Sequence, residues 1–319
     1  MPKGRSEAAL GILDAVTETV LETTTFSDRL ASAVEQKRSQ LVVGLDPRLD
    51  LFPLELRGNA EVGRPAAAEA TARFCCGIVD AVAPYAVAVK PQLAFFEVMG
   101  ADGVAAFERT VDYARAAGLL VIVDGKRGDI GSTARAYAEA YLEPRGAREA
   151  LADALTVNTY MGRDSLEPFV AACRRGGGGV FCLVKTSNAG SIEVQDLALS
   201  DGRPLWQQVA ELVRELGEEL VGDCGLSSVG AVVGATHPRA VGIARKLLPQ
   251  SILLLPGVGA QGATPADIAR AFTSGPASAL VNSSRTVMYA YRDSDLDWRA
   301  AAGAEAARLQ REVWAVSGW

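Results

Sequence analysis

The segment VIVDGKRGDIGST, residues 121–133, gathers Asp124, Lys126, Arg127 and Asp129 directly after an apolar run. A lysine kept charged by neighbouring carboxylates is a general acid, because those neighbours favour its protonated form. The same neighbours make it a poor Schiff-base nucleophile, since an amine that attacks a carbonyl must be neutral. Asp124 and Lys126 are two residues apart, so on an extended chain both side chains fall on one face. Asp129 lies beyond them, where a helix is expected to begin. Burying ammonium and carboxylate groups together is costly unless they pair, and paired they provide a fixed, pre-oriented field.

A second chemistry-bearing stretch is PGVGAQGATP, residues 256–265. Thr264 suits a helix N-cap and Pro265 the first helical position. Backbone amides freed by the glycines beside a positive helix end would make an anion site, and Arg285 could add a bidentate contact. The single histidine, His237, lies before a proline and reads as a capping or turn residue. With one histidine, multi-histidine metal sites are excluded, and any Ser-His or Cys-His catalysis would have to rest on His237 alone.

These groups need a scaffold, and the apolar pattern supplies one. Short β-branched runs fall at 41–46, 86–91, 119–124, 154–160, 179–185, 229–236, 252–258 and 278–284. Between them, helical periodicity covers 69–82, 101–117, 132–143, 164–175, 204–220, 238–248 and 265–273, with a last helix near 298–316. Eight βα units predict an α/β fold, a (β/α)8 TIM barrel, as a single domain over 26–319. An open doubly wound sheet would carry a glycine fingerprint after its first strand, where this chain has Asp46-Pro47-Arg48. Residues 1–25 are predicted to be a poorly ordered N-terminal extension, with a helix starting at Ser27.

In a barrel the C-terminal strand ends form the site. Those ends carry Asp46, Lys90, the Asp124–Asp129 group, Asn158, Lys185 with Ser187 and Asn188, Thr236, the 257–262 glycine loop and Arg285. One strand-terminal Asp is readily explained as a helix cap, but Lys90 and Lys126 together with three aspartates on one rim are not. The loops after strands 7 and 8 are where barrels habitually hold phosphate.

Composition narrows the partners. The chain has 319 residues, 49% of them hydrophobic and 22% charged, enough apolar surface for a large core and without a membrane-length apolar run. A net charge of −6 argues against a general nucleic-acid binder, so any phosphate recognised belongs to a small molecule. Five cysteines at 75, 76, 173, 182 and 224 form no C-x-x-C pair. Neither a disulfide framework nor a zinc cage is indicated, and with no export signal visible a cytoplasmic location is expected.

The segments VGLDPR (43–48), AVKPQLAFFE (88–97), VDGKRGDIGST (123–133), TVNTYMGRDSLEPF (156–169), LVKTSNAGS (183–191), LPGVGAQGA (255–263) and VNSSR (281–285) together resemble the orotidine 5′-phosphate decarboxylase family in its longer bacterial form. The resemblance implies cofactor-free and metal-free conversion of orotidine 5′-phosphate to UMP, the last step of de novo pyrimidine synthesis, by a homodimer with shared active sites. It implies that Lys90 and Asp124 form an ordered network, that Lys126 protonates the substrate, and that Asp129 and Thr133 reach in from the partner subunit. It further implies that Asp46 contacts a ribose hydroxyl, that Ser187 reads the pyrimidine, and that Gln261, Gly262 and Arg285 hold the 5′-phosphate. Ala189 departs from the proline that family members often have there.

Two other functions fit parts of this pattern. The D-x-K-x-x-D element is shared with metal-dependent sugar-phosphate lyases and decarboxylases of the same barrel superfamily, which resemble one another in an acidic group where this chain has Lys90. A non-catalytic nucleotide-phosphate sensor would keep the glycine loop but has no need of so costly a charge array.

Overall fold

The computed structural model describes residues 24–144, 149–259 and 262–319. The extension expected at 1–25 therefore falls, for residues 1–23, outside the described residues. Thr25 caps the first helix, α1 (Phe26–Lys37), accepting from the Asp28 backbone N–H at 3.2 Å, and Arg38 closes it in the left-handed region. The chain then alternates as the apolar pattern predicts. Strand β1 (Leu41–Leu45) leads into short α2 (Leu54–Ala60) and long α3 (Arg64–Val82). Strand β2 (Ala88–Pro91) is followed by α4 (Ala94–Glu97) and α5 (Gly100–Ala116), and β3 (Leu120–Arg127) by α6 (Gly131–Leu142). Next come β4 (Ala154–Val157) and α7 (Arg163–Gly176), then β5 (Gly179–Lys185) and α8 (Leu205–Gly217). Strand β6 (Ser227–Val233) precedes α9 (Pro238–Leu247), and β7 (Ser251–Pro256) precedes a 3-10 turn at Pro265–Phe272. Strand β8 (Ala279–Ser283), α10 (Arg285–Met288) and α11 (Trp298–Ser317) complete the described order.

All eight strands pair in parallel, and β1 pairs with β8 through Leu41↔Val281 and Val43↔Ser283, closing the barrel. Parallel strands covered by helices are buried on both faces, which is why they read as continuous apolar runs. Val42, Ile122, Ala154, Phe181 and Ile252 point inward and meet Phe26, Leu30 and Val34 of α1, which plugs the N-terminal end. The rings of Phe26 and Phe181 pack edge to face at 5.9 Å. Gly179 is required beneath that plug, because a Cβ there would lie 2.4 Å from the Phe26 ring.

Three elements differ from expectation. Strand β3 runs to Arg127 rather than stopping at Asp124, because pairing with β4 skips from Val123↔Leu155 to Arg127↔Val157. The helix expected at 265–273 is a 3-10 turn. His237 occupies the N-cap position of α9, but its side chain makes no capping bond and Nε2 is buried without a partner.

Candidate functional site at the barrel mouth

Strands β2 and β3 bring the central charges together. Lys90 Nζ donates to Asp124 Oδ2 at 2.5 Å, and Lys126 Nζ donates to Asp124 Oδ1 at 2.6 Å. Lys90 and Asp124 are buried, whereas 48% of the Lys126 side chain is exposed, so its ammonium faces the opening. Burial alone would raise the Asp124 pKa, but Lys90 and Lys126 outweigh it and hold the carboxyl well below the usual range. Burial would likewise lower the Lys90 pKa, and the charges of Asp124 and Asp46 reverse that into a rise. Both groups are therefore locked in their charged forms.

The two-residue spacing works by a different geometry from the one expected. Lys126 is not extended: its φ is 44°, in the left-handed region, where a non-glycine residue costs roughly 1–3 kcal/mol. Residues 124–126 form a bulge opposite the single residue Thr156, and this bulge re-aims Lys126 at Asp124. Thr156 Oγ1 accepts from the Lys126 backbone N–H at 2.9 Å and donates to Asp124 Oδ1 at 3.0 Å.

Above this floor lies a cavity of about 730 Å³ whose walls include Asp46, Asn158, Ser187, Asn188, Trp206, Gly257, Val258, Asn282, Ser284 and Arg285. Asp46 Oδ1 and Asn282 Oδ1 are buried there without hydrogen-bond partners. The Asp46 turn is fixed by Tyr289, whose hydroxyl donates to Asp46 O at 2.8 Å and accepts from Arg48 N at 2.8 Å. Ser187 sits on a loop fastened at its base by Lys185, which donates to Asp196 at 2.8 Å and Ser191 at 3.3 Å. Lys185 thus belongs to the loop and not to the cavity. Thr236 also stays off the cavity wall, with Oγ1 buried and unpartnered.

The glycine loop is only partly as expected. Asp267 closes a capping box, accepting from the Thr264 backbone N–H at 2.8 Å and from its hydroxyl at 2.7 Å. The amides of Gly259, Gly262 and Ala263, however, are not free: they donate to Ala263 O, Gly259 O and Gly257 O within the loop. Gly262 adopts φ 89°, and Gln261 lies outside the described residues. Arg285, the first residue of α10, lines the cavity near Gly257 and Val258. Asp129 and Thr133 do not line the cavity of their own chain, and Asp129 Oδ1 accepts from the Ile130 backbone N–H at 2.7 Å.

Sequence reasoning missed Thr156, Asn282, Tyr289 and Asp196. Threonine and asparagine on strands carry no signal of their own, and Asp196 and Tyr289 become relevant only through contacts across 11 and 243 positions. Among the described residues, no three His, Cys, Asp or Glu side chains are placed to hold a metal ion, and no helix is long and apolar enough to cross a membrane.

A family model described as orotidine 5′-phosphate decarboxylase / HUMPS matches residues 39–299. An orotidine 5′-phosphate decarboxylase of Rhodopirellula baltica is 48% identical over 276 residues, 84% of this chain and 89% of that protein. One from Deinococcus radiodurans is 45% identical over 271 residues, covering 84% and 90%. The structure of Leishmania donovani OMP decarboxylase superposes with a TM-score of 0.70 at 33% identity, covering 93% of this chain and all of the other.

Proposed function

We infer the chemistry of the barrel mouth from what the chain is: it belongs to the orotidine 5′-phosphate decarboxylase family. Its activity is that of a carboxy-lyase converting orotidine 5′-phosphate to UMP. The observation that carries the reading is the Lys90–Asp124–Lys126 chain of ion pairs on the cavity floor, buried at Lys90 and Asp124 and half exposed at Lys126.

In our proposal the pyrimidine lies over this floor with its C6 carboxylate against Asp124, and like charges destabilise that arrangement. The C6–carboxylate bond breaks, CO2 leaves, and the electron pair stays on C6 beside the Lys126 ammonium. Lys126 then transfers a proton from Nζ to C6, giving UMP, and the neutral amine regains a proton from solvent. Every contact improves as negative charge moves from carboxylate to C6, which is the condition for lowering a barrier rather than merely binding. Lys90 keeps Asp124 ionised and in place. Asp46, with one oxygen lacking a partner, takes a ribose hydroxyl; Ser187 contacts the ring; Arg285 with Gln261 holds the phosphate, while the Gly262 amide, spent on Gly259 O, shapes the loop beside it. Binding the phosphate away from the reacting carbon contributes remote binding energy to loop closure.

Asp129 and Thr133 complete the neighbouring subunit's site in a homodimer. In support, exposed Val98, Ile130, Tyr160 and Met161 surround that part of the rim, an apolar surface of the kind an interface covers. The barrel occupies 26–319 with 1–25 as an extension, and the five free cysteines suit the reducing cytoplasm. The test is incubation with orotidine 5′-phosphate while the orotate absorbance is followed. Turnover unchanged by EDTA is expected. Turnover abolished by EDTA, or none at all, would overturn the reading in favour of a metal-dependent lyase or a sensor.

A further inference from the structure

We propose that Thr156 is a positioning residue that couples the backbone of Lys126 to the carboxylate of Asp124, and so fixes where the acid's proton is delivered. The inference rests on the decarboxylase reading for its kinetic consequence, though not for its geometry. Because of the bulge, residues 124–126 face one residue of β4, and the Lys126 backbone N–H finds the Thr156 hydroxyl at 2.9 Å. A hydroxyl that accepts this bond has one proton to give, and it goes to Asp124 Oδ1 at 3.0 Å. That same oxygen takes Lys126 Nζ at 2.6 Å. The result is a closed ring: Lys126 backbone, Thr156 hydroxyl, Asp124 carboxylate, Lys126 ammonium.

Lys126 is thereby tied at both ends of its side chain, although that side chain is half exposed and its φ of 44° is unfavourable. Thr156 is 2% exposed, so water has little access to replace the hydroxyl. The branched side chain adds stiffness, since its χ1 is restricted where a serine would rotate. A threonine placed only to fill the strand would not need its oxygen here. Position matters for Lys126 because C6 offers an electron pair only as CO2 departs, and small displacements of an acid cost rate heavily.

The test compares Thr156→Val, which keeps shape and removes the hydroxyl, with Thr156→Ser, which keeps the hydroxyl. Thr156→Val should lower kcat on the order of ten- to a hundredfold, the factor expected for one hydrogen bond to a charged group, with KM changed less than about threefold. Thr156→Ser should recover most of kcat. Independently of turnover, amide exchange at Lys126 should accelerate in Thr156→Val and stay protected in Thr156→Ser. If Thr156→Val does not fold, Thr156→Ala is read in its place, with the same expectations. A hydroxyl-free variant with wild-type kcat, equal losses in Val and Ser, or unchanged Lys126 exchange would each overturn the proposal. Wild-type protein that fails to decarboxylate would sink the family activity instead, leaving the exchange comparison to decide on Thr156.

Discussion

At the N-terminal ends of the strands, Phe26, Leu30 and Val34 press into Phe181, Ile122 and Val42, with no charge among them. At the C-terminal ends of the same strands, Lys90, Asp124 and Lys126 meet through bonds of 2.5 and 2.6 Å. The base is specified by volume, so it tolerates any filling of similar shape. The mouth is specified by the direction and charge of individual atoms, and no substitution of similar size preserves it. Free energy at the base goes into stability. At the mouth it goes into keeping two charged groups desolvated and aligned, which is a poor way to stabilise a fold and a good way to prepare a transition state.

The sharpest way to break this contrast is Lys126→Ala. Decarboxylation should fall by roughly a factor of 10² to 10⁴, the usual worth of a positioned acid, while UMP binding and the melting temperature stay near wild type. Aggregation, or activity close to wild type, would place Lys126 in the core architecture. Phe26→Ala reverses the pattern: it should cost about 3–5 kcal/mol of stability by urea unfolding and leave kcat of the folded fraction unchanged. A Phe26→Ala protein that is stable but slow would mean the two ends are coupled.

Arg285→Ala should weaken use of the 5′-phosphorylated substrate by about ten- to a hundredfold and hardly alter use of the nucleoside, because a contact to an absent group cannot be lost. Equal losses on both would move Arg285 away from the phosphate. The mouth should also depend on a neighbour where the base does not. Lys126→Ala and Asp129→Ala, each nearly inactive, should recover about a quarter of wild-type activity when unfolded together and refolded as an equal mixture. Half the dimers are then mixed, and each has one intact site. No recovery despite mixed dimers in the mass spectrum would end the shared-site proposal.

The smallest effect is in pH. Asp124 has a depressed pKa, so its stabilising contribution is complete above the ordinary value of 3.8 and is lost as pH falls below it towards the lowered value. Lys90 has a raised pKa, so its contribution is complete below 10.5 and is lost as pH rises through the raised value. The stability advantage of wild type over Asp124→Asn should therefore be flat between about pH 5 and 9 and shrink below 3.8. The deficit of Phe26→Ala should show no such dependence, and a matching slope in both variants would contradict the assignment of charge to one end only.

Much of this is legible in the amino-acid sequence. Eight apolar runs at βα spacing specify the barrel, and Asp46, Lys90, Asp124, Lys126, Ser187 and Arg285 all line the cavity because strand ends converge there by topology alone. What was not readable is local backbone geometry. Nothing about a lysine announces a left-handed φ, so the bulge at 124–126 and its hydroxyl partner were invisible. Lys185 looked like a rim charge, but a register shift between Leu183 and Lys185 turns it towards Asp196. The glycine loop announced a turn, yet not which of its amides would be consumed inside it.

The closure of the barrel by β1 and β8 has a consequence for synthesis. Lys90, Asp124, Lys126 and Thr156 come from three consecutive strands, so the charge array is encoded within a short stretch. Asp46, by contrast, is held by Tyr289, 243 positions later, and its strand gains its second neighbour only when β8 arrives. Loop closure over such a distance adds little free energy, since each doubling of length costs only about 0.6 kcal/mol, but it cannot happen before the residues exist. On the ribosome, the charged floor can therefore assemble well before the wall formed by Asp46, and a nascent chain short of β8 carries the charge array without the rest of the pocket.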